Sequence, residues 1–521
     1  FCRLPILLDA AMLSRTLSVP ALGLRNQIRR LSIQVGLPAS KENIDQVFKH
    51  DAIAIPAFNF KDNTPGVPNK LHEKKAWSKD EIDEKLKENC VFAWGPSDAL
   101  RAACPTIVRG EGVWLYDNED KKYLDWSSGA VCTNLGNSMP PDVKSAIEDQ
   151  MATAPFVYGD LAVTEVRARL CSLLADISPA NLNGFIFASG GAEANECAIR
   201  MARRKTGRYK ILSRYRSYHG GTTSTLAMTG DPRTWATDTQ ITGFIKIPDP
   251  FPFSYSWGED AETAATQALN ALHEQILMEG PESIAAIFME SITGSNGWLL
   301  PHPAYMQGVR ALCDEYGILM IADEVMCGFG RTGTLFGFQN FPGVVPDMFT
   351  FAKGVTGAFM PLSGVGMTDE IFDFYRTNAP AYGSTYSAHP LTVACGYAIV
   401  KHIIEKDIPG RVKSMESKLA HGLQQIVDKH VSAKQARVIG LAGGIDIGGL
   451  SGDSLMHMHQ AHPAVGFLKK RLKEEGLITL VRGHHMHCTP PLIISEDEIN
   501  TGVKILDECF GDLDVFLQND S

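Results

Sequence analysis

Short unbroken apolar runs alternate along the middle of the chain with longer stretches in which apolar residues return every three or four positions. The runs at 185–188, 210–212, 284–289, 318–322 and 348–352 predict strands buried on both faces. The stretches between them predict helices. In 194–204, Ala194, Cys197, Ala198, Met201 and Ala202 share one face, and a second helix runs from about 304 to 316, closed by Gly317. Upstream, 113–116 and 122–126 read as a hairpin across an acidic turn at 117–120. Ser78 with Glu81 forms a capping box for a charged helix to about 88. Alternating strands and helices imply an α/β fold with a mostly parallel sheet covered on both faces. Ligands of such sheets bind beyond the carboxyl ends of the strands.

Composition narrows the class. The 521 residues can bury a large core, and a net charge of −10 is a poor match for nucleic acid. No apolar stretch reaches the ~18 residues of a membrane span. The 11 cysteines are odd in number and lack a C-x-x-C pair, which favours free thiols in a reducing compartment. The charge is uneven. Residues 12–40 hold arginines 15, 25, 29 and 30, no acid, and spaced Leu and Ile. We read 1–35 as a mitochondrial transit peptide, with Met12 as the alternative start, and expect a matrix location. Residues 36–77 read as an extended lead-in.

The polar signals fall at strand ends. Ser189-Gly190-Gly191-Ala192-Glu193 leaves one strand and opens a helix, a place where backbone N–H groups can cradle an anion. Tyr218-His219-Gly220-Gly221 puts an aromatic before a flexible turn. Asp323 ends the run 318–322, where a carboxylate is costly unless paired. Lys353 ends the next run, and a desolvated lysine is an amine nucleophile suited to Schiff-base chemistry. Anion cradle, aromatic plate, carboxylate and lysine are what pyridoxal phosphate needs for its phosphate, ring face, ring nitrogen and aldehyde.

At this point the chain resembles the class III (ω-amino-acid) aminotransferases of pyridoxal-phosphate fold type I, over about residues 90–515. The resemblance rests on GGAEANECAIRMAR (190–203), YHGGT (218–222), FMESITGSNGWLLP (288–301), ILMIADEVMCGFGRTG (318–333), FAKG (351–354) and GSTYSAHP (383–390). It implies a large domain at 151–400 and a small α+β domain made from 78–150 and 401–521. By the same resemblance Lys353 would hold the cofactor and move the proton, and Asp323 would hold the ring nitrogen's proton. Tyr218 and Val325 would sandwich the ring, and Gly191 and Ala192 would bind the phosphate. Thr385 would reach that phosphate from a neighbouring subunit, implying a homodimer with shared sites, or a tetramer. Glu290 fits an active-site acid or a structural partner, Arg482 a mobile carboxylate clamp, and Val131 a pocket wall.

The chain departs from the family at Ala192 (usually Ser or Thr), at Ala388-His389 (usually Gly-Asn) and at Asn137 (usually His), which bears on cofactor affinity. Two other motifs attract attention. Gly328-Phe329-Gly330-Arg331-Thr332-Gly333 matches a dinucleotide fingerprint, but the following Gly- and aromatic-rich residues should not open a helix. His484-His485-Met486-His487 lacks a carboxylate or Cys to complete a metal set, so we expect no metal and a surface or rim loop there.

Relatives acting on ornithine or 4-aminobutyrate typically carry a second Glu where this chain has Ser295. The motif wording is closest to taurine–pyruvate and β-alanine–pyruvate enzymes. The expected function is ping-pong transfer of an amino group from an ω-amino acid or aminosulfonate to pyruvate or glyoxylate. Small amino donors and keto acids would then be its partners. The alternatives are a lyase, decarboxylase or aminomutase using the same cofactor, and a catalytically inactive structural subunit.

Overall fold

The computed structural model describes residues 77–236, 241–251, 260–450 and 463–519; the expected leader and nearly all of the lead-in lie outside them. Its central sheet has seven strands, labelled in chain order β1 (Gly184–Ala188), β2 (Lys210–Arg214), β3 (Phe244–Ile247), β4 (Ile284–Glu290), β5 (Leu319–Asp323), β6 (Met348–Phe351) and β7 (Ser363–Met367). Their spatial order is β1-β7-β6-β5-β4-β2-β3. Only β7 runs against its neighbours. The five strands read from the sequence are all present. Two were not foreseen, β3 and β7. In β7 the missing signal has a physical cause, since Gly364 and Gly366 leave room for the Phe351 and Phe349 rings of β6 and glycine is a weak strand former.

Alternate strand residues face opposite layers, as a two-sided sheet requires. Phe288, Ile321 and Met348 pack with Ala194, Cys197, Ala198 and Met201 of the helix α1 (Gly191–Thr206). Ile287, Met289 and Met320 pack with Leu272 and Ile276 of α2 (Ala261–Glu279) and Met306, Val309 and Cys313 of α3 (Pro303–Tyr316). All seven positions of β4 are buried, each large side chain contributing about 1.5–3 kcal/mol. Gly317 closes α3 at φ 59, as its sequence position predicts. Small alanines on α1 bring it close enough to the sheet to place its N-terminus over the strand ends.

Two smaller sheets flank this layer. The expected hairpin forms as Trp114–Asp117 with Lys122–Asp125, preceded by a third strand, Ile107–Glu111. Leu477–Ile478 adds to it in parallel, so residues from both ends of the described chain share one sheet. The other sheet joins Ala433–Ile439, Ala442–Ile447, His485–Cys488 and Val481–Arg482. Ten cysteines among the described residues are free, six of them buried. Among the described residues no helix is long and apolar enough to cross a membrane.

The glycine-rich 328–333 segment opens no α-helix; turns lead to a short 3-10 stretch, Gly337–Asn340. Its Arg331 is fully buried instead. The guanidinium donates to the carbonyls of Leu441 (2.9 Å) and Pro490 (2.6 Å) and to Ser128 Oγ and Asn134 Oδ1. One side chain thus ties three distant chain segments together behind the strand ends.

Candidate active site

The parallel register puts the ends of β4, β5 and β6 side by side, with Glu290 opposite Asp323 and Asp323 opposite Thr350. Asp323 is buried and accepts from Asn195 Nδ2 (2.9 Å) and from the backbone N–H of Val325 (3.0 Å). Its Oδ2 also lies 2.7 Å from His219 Nδ1. Asn195 additionally donates to the His219 carbonyl (2.7 Å), so α1 and the Tyr218-His219 turn fix the carboxylate together. Neither Asn195 nor His219 was singled out from the sequence. Both lie inside motifs already quoted, but only tertiary contact gives them a common target.

Lys353 follows β6 with φ 48, a left-handed conformation that costs a non-glycine residue on the order of 1 kcal/mol or more. Neighbouring packing holds it there. Surrounding protein pushes its amine below the usual lysine range, while Cys132, Asp323 and Glu290 pull the other way. A lysine so placed is nearer to the neutral amine that carbonyl chemistry needs.

The helix N-terminus adjoins this pair. A Cβ at Gly190 would meet nothing within 4 Å, leaving open space over the donors of the first turn. A Cβ at Gly191 would press Val325 at 3.0 Å, which explains the glycine there. Ala192 packs against Gly220, whose own Cβ would lie 2.6 Å from the alanine methyl. Burial raises the Tyr218 phenol, and Arg233 lies 3.5 Å from the centre of its ring. Both Glu290 oxygens are occupied, by the N–H of Tyr218 (3.1 Å) and of Gly294 (2.7 Å). Glu290 therefore holds the backbone of the aromatic plate.

Beside the plate is a cavity of ≈ 410 Å³ lined by Trp94, Asp231, Arg233, Ser295, Arg482 and His485 among others. Arg482 sits at a hairpin tip, paired with His485 across Gly483. Val131 is buried at φ 60 and packs in the apolar cluster with Ile292, Trp298 and Cys327. It is not among the residues lining this cavity. Thr385 is exposed, next to exposed Tyr386. The departures Asn137 and His389 have local partners: Asn137 donates to Asp125 (3.3 Å), and His389 Nδ1 caps the helix Pro390–Glu405 at Leu391 N (3.3 Å).

The expectation of a surface or rim loop at 484–487 is corrected. His485–Cys488 is a buried strand. Trp298 Nε1 donates to His487 Nδ1 (3.2 Å), and His485 Nε2 bonds the Ser295 carbonyl (2.9 Å). The reason is tertiary pairing with Ala442–Ile447, which covers a polar run that looks solvated in sequence. Among the described residues no cluster of His, Cys, Asp and Glu is placed to hold a metal. Burial drives the His485 imidazole down to about 3. Between about pH 6.5 and 3 the unfolded chain binds a proton there that the folded chain refuses. This stability is fully present above 6.5 and is lost on acidification, by a few kcal/mol at most. Acid denaturation followed by circular dichroism should be shallower in His485→Gln across that window; an unchanged profile would remove His485 from the account.

Open space over a helix N-terminus, a desolvated lysine, a buried carboxylate with three donors and a clamped aromatic define a fold type I pyridoxal-phosphate site, and the residues fit that cofactor. The aminotransferase class-III family matches residues 99–510. A putrescine–pyruvate aminotransferase of Pseudomonas aeruginosa is 30% identical over 77% of this chain and 90% of its own. A mitochondrial γ-aminobutyrate transaminase of Oryza sativa subsp. japonica is 31% identical over 77% and 80%. Among solved structures, the taurine:2-oxoglutarate aminotransferase of Bifidobacterium kashiwanohense, in complex with pyridoxal phosphate and glutamate, superposes with a TM-score of 0.80. It is 38% identical over 85% of this chain and 100% of its own. The chain belongs to the class III aminotransferases. It is an enzyme with the fold type I architecture, and pyridoxal phosphate is its cofactor.

Proposed function

We propose that the enzyme transfers an amino group from an ω-amino acid or aminosulfonate, of the β-alanine or taurine kind, to pyruvate or glyoxylate by a ping-pong cycle. The observation that carries this reading is the cavity beside Tyr218, where Arg482 faces space bounded by Ser295 rather than by a second glutamate. An arginine left without that competing carboxylate is free to bind the acid group of a substrate bidentately. The 38% identity to a taurine aminotransferase supports the aminosulfonate end of the range.

In this reading bound pyridoxal phosphate supplies the electron sink. Lys353 would hold the cofactor by its aldehyde carbon and would move the proton taken from the substrate's amine-bearing carbon, and Asp323 would keep the ring nitrogen protonated. Tyr218 and Val325 hold the ring faces, and Gly191 and Ala192 offer N–H groups to the phosphate. Thr385 acts in the partner's site. Support for a homodimer comes from exposed Phe156, Leu161, Val163 and Tyr386 in the segments around Thr385, an apolar surface that a second copy would cover. A mitochondrial-matrix location belongs to the same proposal and rests on the acid-free basic leader.

A panel of taurine, β-alanine, 4-aminobutyrate and putrescine tests the donor, read by single-turnover cofactor spectra, with pyruvate, glyoxylate and 2-oxoglutarate as acceptors. Taurine or β-alanine should react fastest. Faster reaction of putrescine or 4-aminobutyrate would overturn the donor assignment, and donor consumption without any acceptor would indicate a lyase or decarboxylase.

A further inference from the structure

The cavity beside Tyr218 contains a second arginine that the assignment above does not use. Arg233 comes from the 3-10 turn Pro232–Thr234, far in sequence from Arg482, and both line the cavity. Asp231, itself buried, accepts from the Arg233 backbone N–H (3.0 Å) and from its Nε (2.9 Å), and also pairs with Nη2. The fork's remaining nitrogen, Nη1, is outside that pair. The ring of Tyr218 lies against the guanidinium plane at 3.5 Å and Trp94 at 5.7 Å, so the group is held by a carboxylate and two aromatic rings. This is a positioned cation, not a wandering surface side chain.

The cavity is also unbalanced in charge. Arg233, Arg482 and Lys469 line it against one carboxylate, Asp231. Arg482 is held below the ordinary arginine range, first by burial and next by the charge of Arg233, so the two guanidiniums repel across the space. His485, neutral at physiological pH, adds no compensation. An anion between the two arginines would relieve that repulsion.

We propose that Arg233 and Arg482 together form the subsite for the terminal acid group of the substrate, and that Arg233 sets a preference for sulfonate over carboxylate. A carboxylate has two oxygens in one plane, and one planar guanidinium fork satisfies both. A sulfonate presents three oxygens in a pyramid, so one fork leaves an oxygen without a donor. Nη1 of Arg233, on a different element and outside the Asp231 pair, supplies it. Lys469, on the same cavity wall, adds a third positive charge. The inference rests on the reading that this cavity receives the substrate's acid end, and it adds which residue selects among acids.

The test uses the holoenzyme and two inert anions, ethanesulfonate and propionate, with binding measured by calorimetry. Arg233→Gln should weaken ethanesulfonate on the order of 10- to 100-fold and propionate less than about 3-fold. Arg482→Gln should weaken both. In turnover, Arg233→Gln should raise KM for taurine by a larger factor than KM for β-alanine. Equal losses for the two anions, or no loss, would overturn the proposal. The cofactor's visible absorbance identifies correctly loaded variants. If Arg233→Gln fails to load, Arg233→Lys, which keeps the charge and loses Nη1, should show the same preferential loss for sulfonate; a variant with no such preference overturns the idea. Calorimetry needs no turnover. If the parent uses neither taurine nor β-alanine yet discriminates the anions through Arg233, the donor assignment fails while the subsite stands.

Discussion

Lys353→Ala should abolish the visible absorbance of the lysine–cofactor Schiff base and slow transamination by about 10⁴-fold, the upper range for losing a positioned acid–base group. Alanine removes both the amine proposed to bond the cofactor and the group proposed to move the proton. The loss should appear in kcat and in kcat/KM alike, because the proton is transferred only at the chemical step. Backbone geometry gives no competing explanation. The position is left-handed for lysine at φ 48, and alanine meets a similar steric cost there. Single-turnover spectra with a saturating donor make the measurement. Retention of more than about a tenth of the parent rate would sink the assignment of Lys353.

Asp323→Asn is the second large effect. A carboxylate ~3 Å from a protonated ring nitrogen contributes on the order of 5 kcal/mol at an effective dielectric of ~20, before desolvation. That holds the ring proton well past neutrality. Removing the charge should lower kcat by about 10²–10³-fold while the Lys353 bond still forms. The surroundings amplify the loss. Oδ2 faces both Asn195 Nδ2 and His219 Nδ1, so an amide must turn its NH2 toward one set of donors and leave them unpaired. A pH titration of the cofactor spectrum should show the ring proton leaving at lower pH than in the parent. If kcat falls and that titration does not move, Asp323 acts through packing alone.

Much of this site could be read before any tertiary structure. Lys353 and Asp323 were visible because each is a charged residue directly after a fully apolar run, which is expensive without a function or a partner. Gly190 and Gly191 were visible because a strand-to-helix turn rich in glycine is an anion cradle. The residues missed share a different property. Asn195 sits one turn into a helix and reads as an ordinary polar position. Arg233 sits in a Pro-containing turn whose sequence gives no periodicity. Each acquires a role only through a partner far away in the chain, Asp323 for Asn195 and Arg482, across the cavity, for Arg233. The histidine run shows the reverse error. Its polarity suggested solvent, but pairing of His485–Cys488 with Ala442–Ile447 buries it.

The sequence by itself therefore determined the α/β alternation, the class of cofactor chemistry and the two residues proposed to carry it. Those follow from local rules: apolar period, strand-end charge and glycine at a helix start. Tertiary structure decided what those rules cannot reach. It paired Glu290 with the Tyr218 backbone, packed Val131 in one cluster with Ile292 and Trp298, turned a polar run into a buried strand and brought Arg233 into one cavity with Arg482. The physical reason is common to all four. Burial, hydrogen-bond partner and electrostatic neighbour are properties of residues distant in sequence, fixed only when the sheet and its flanking layers close around the strand ends.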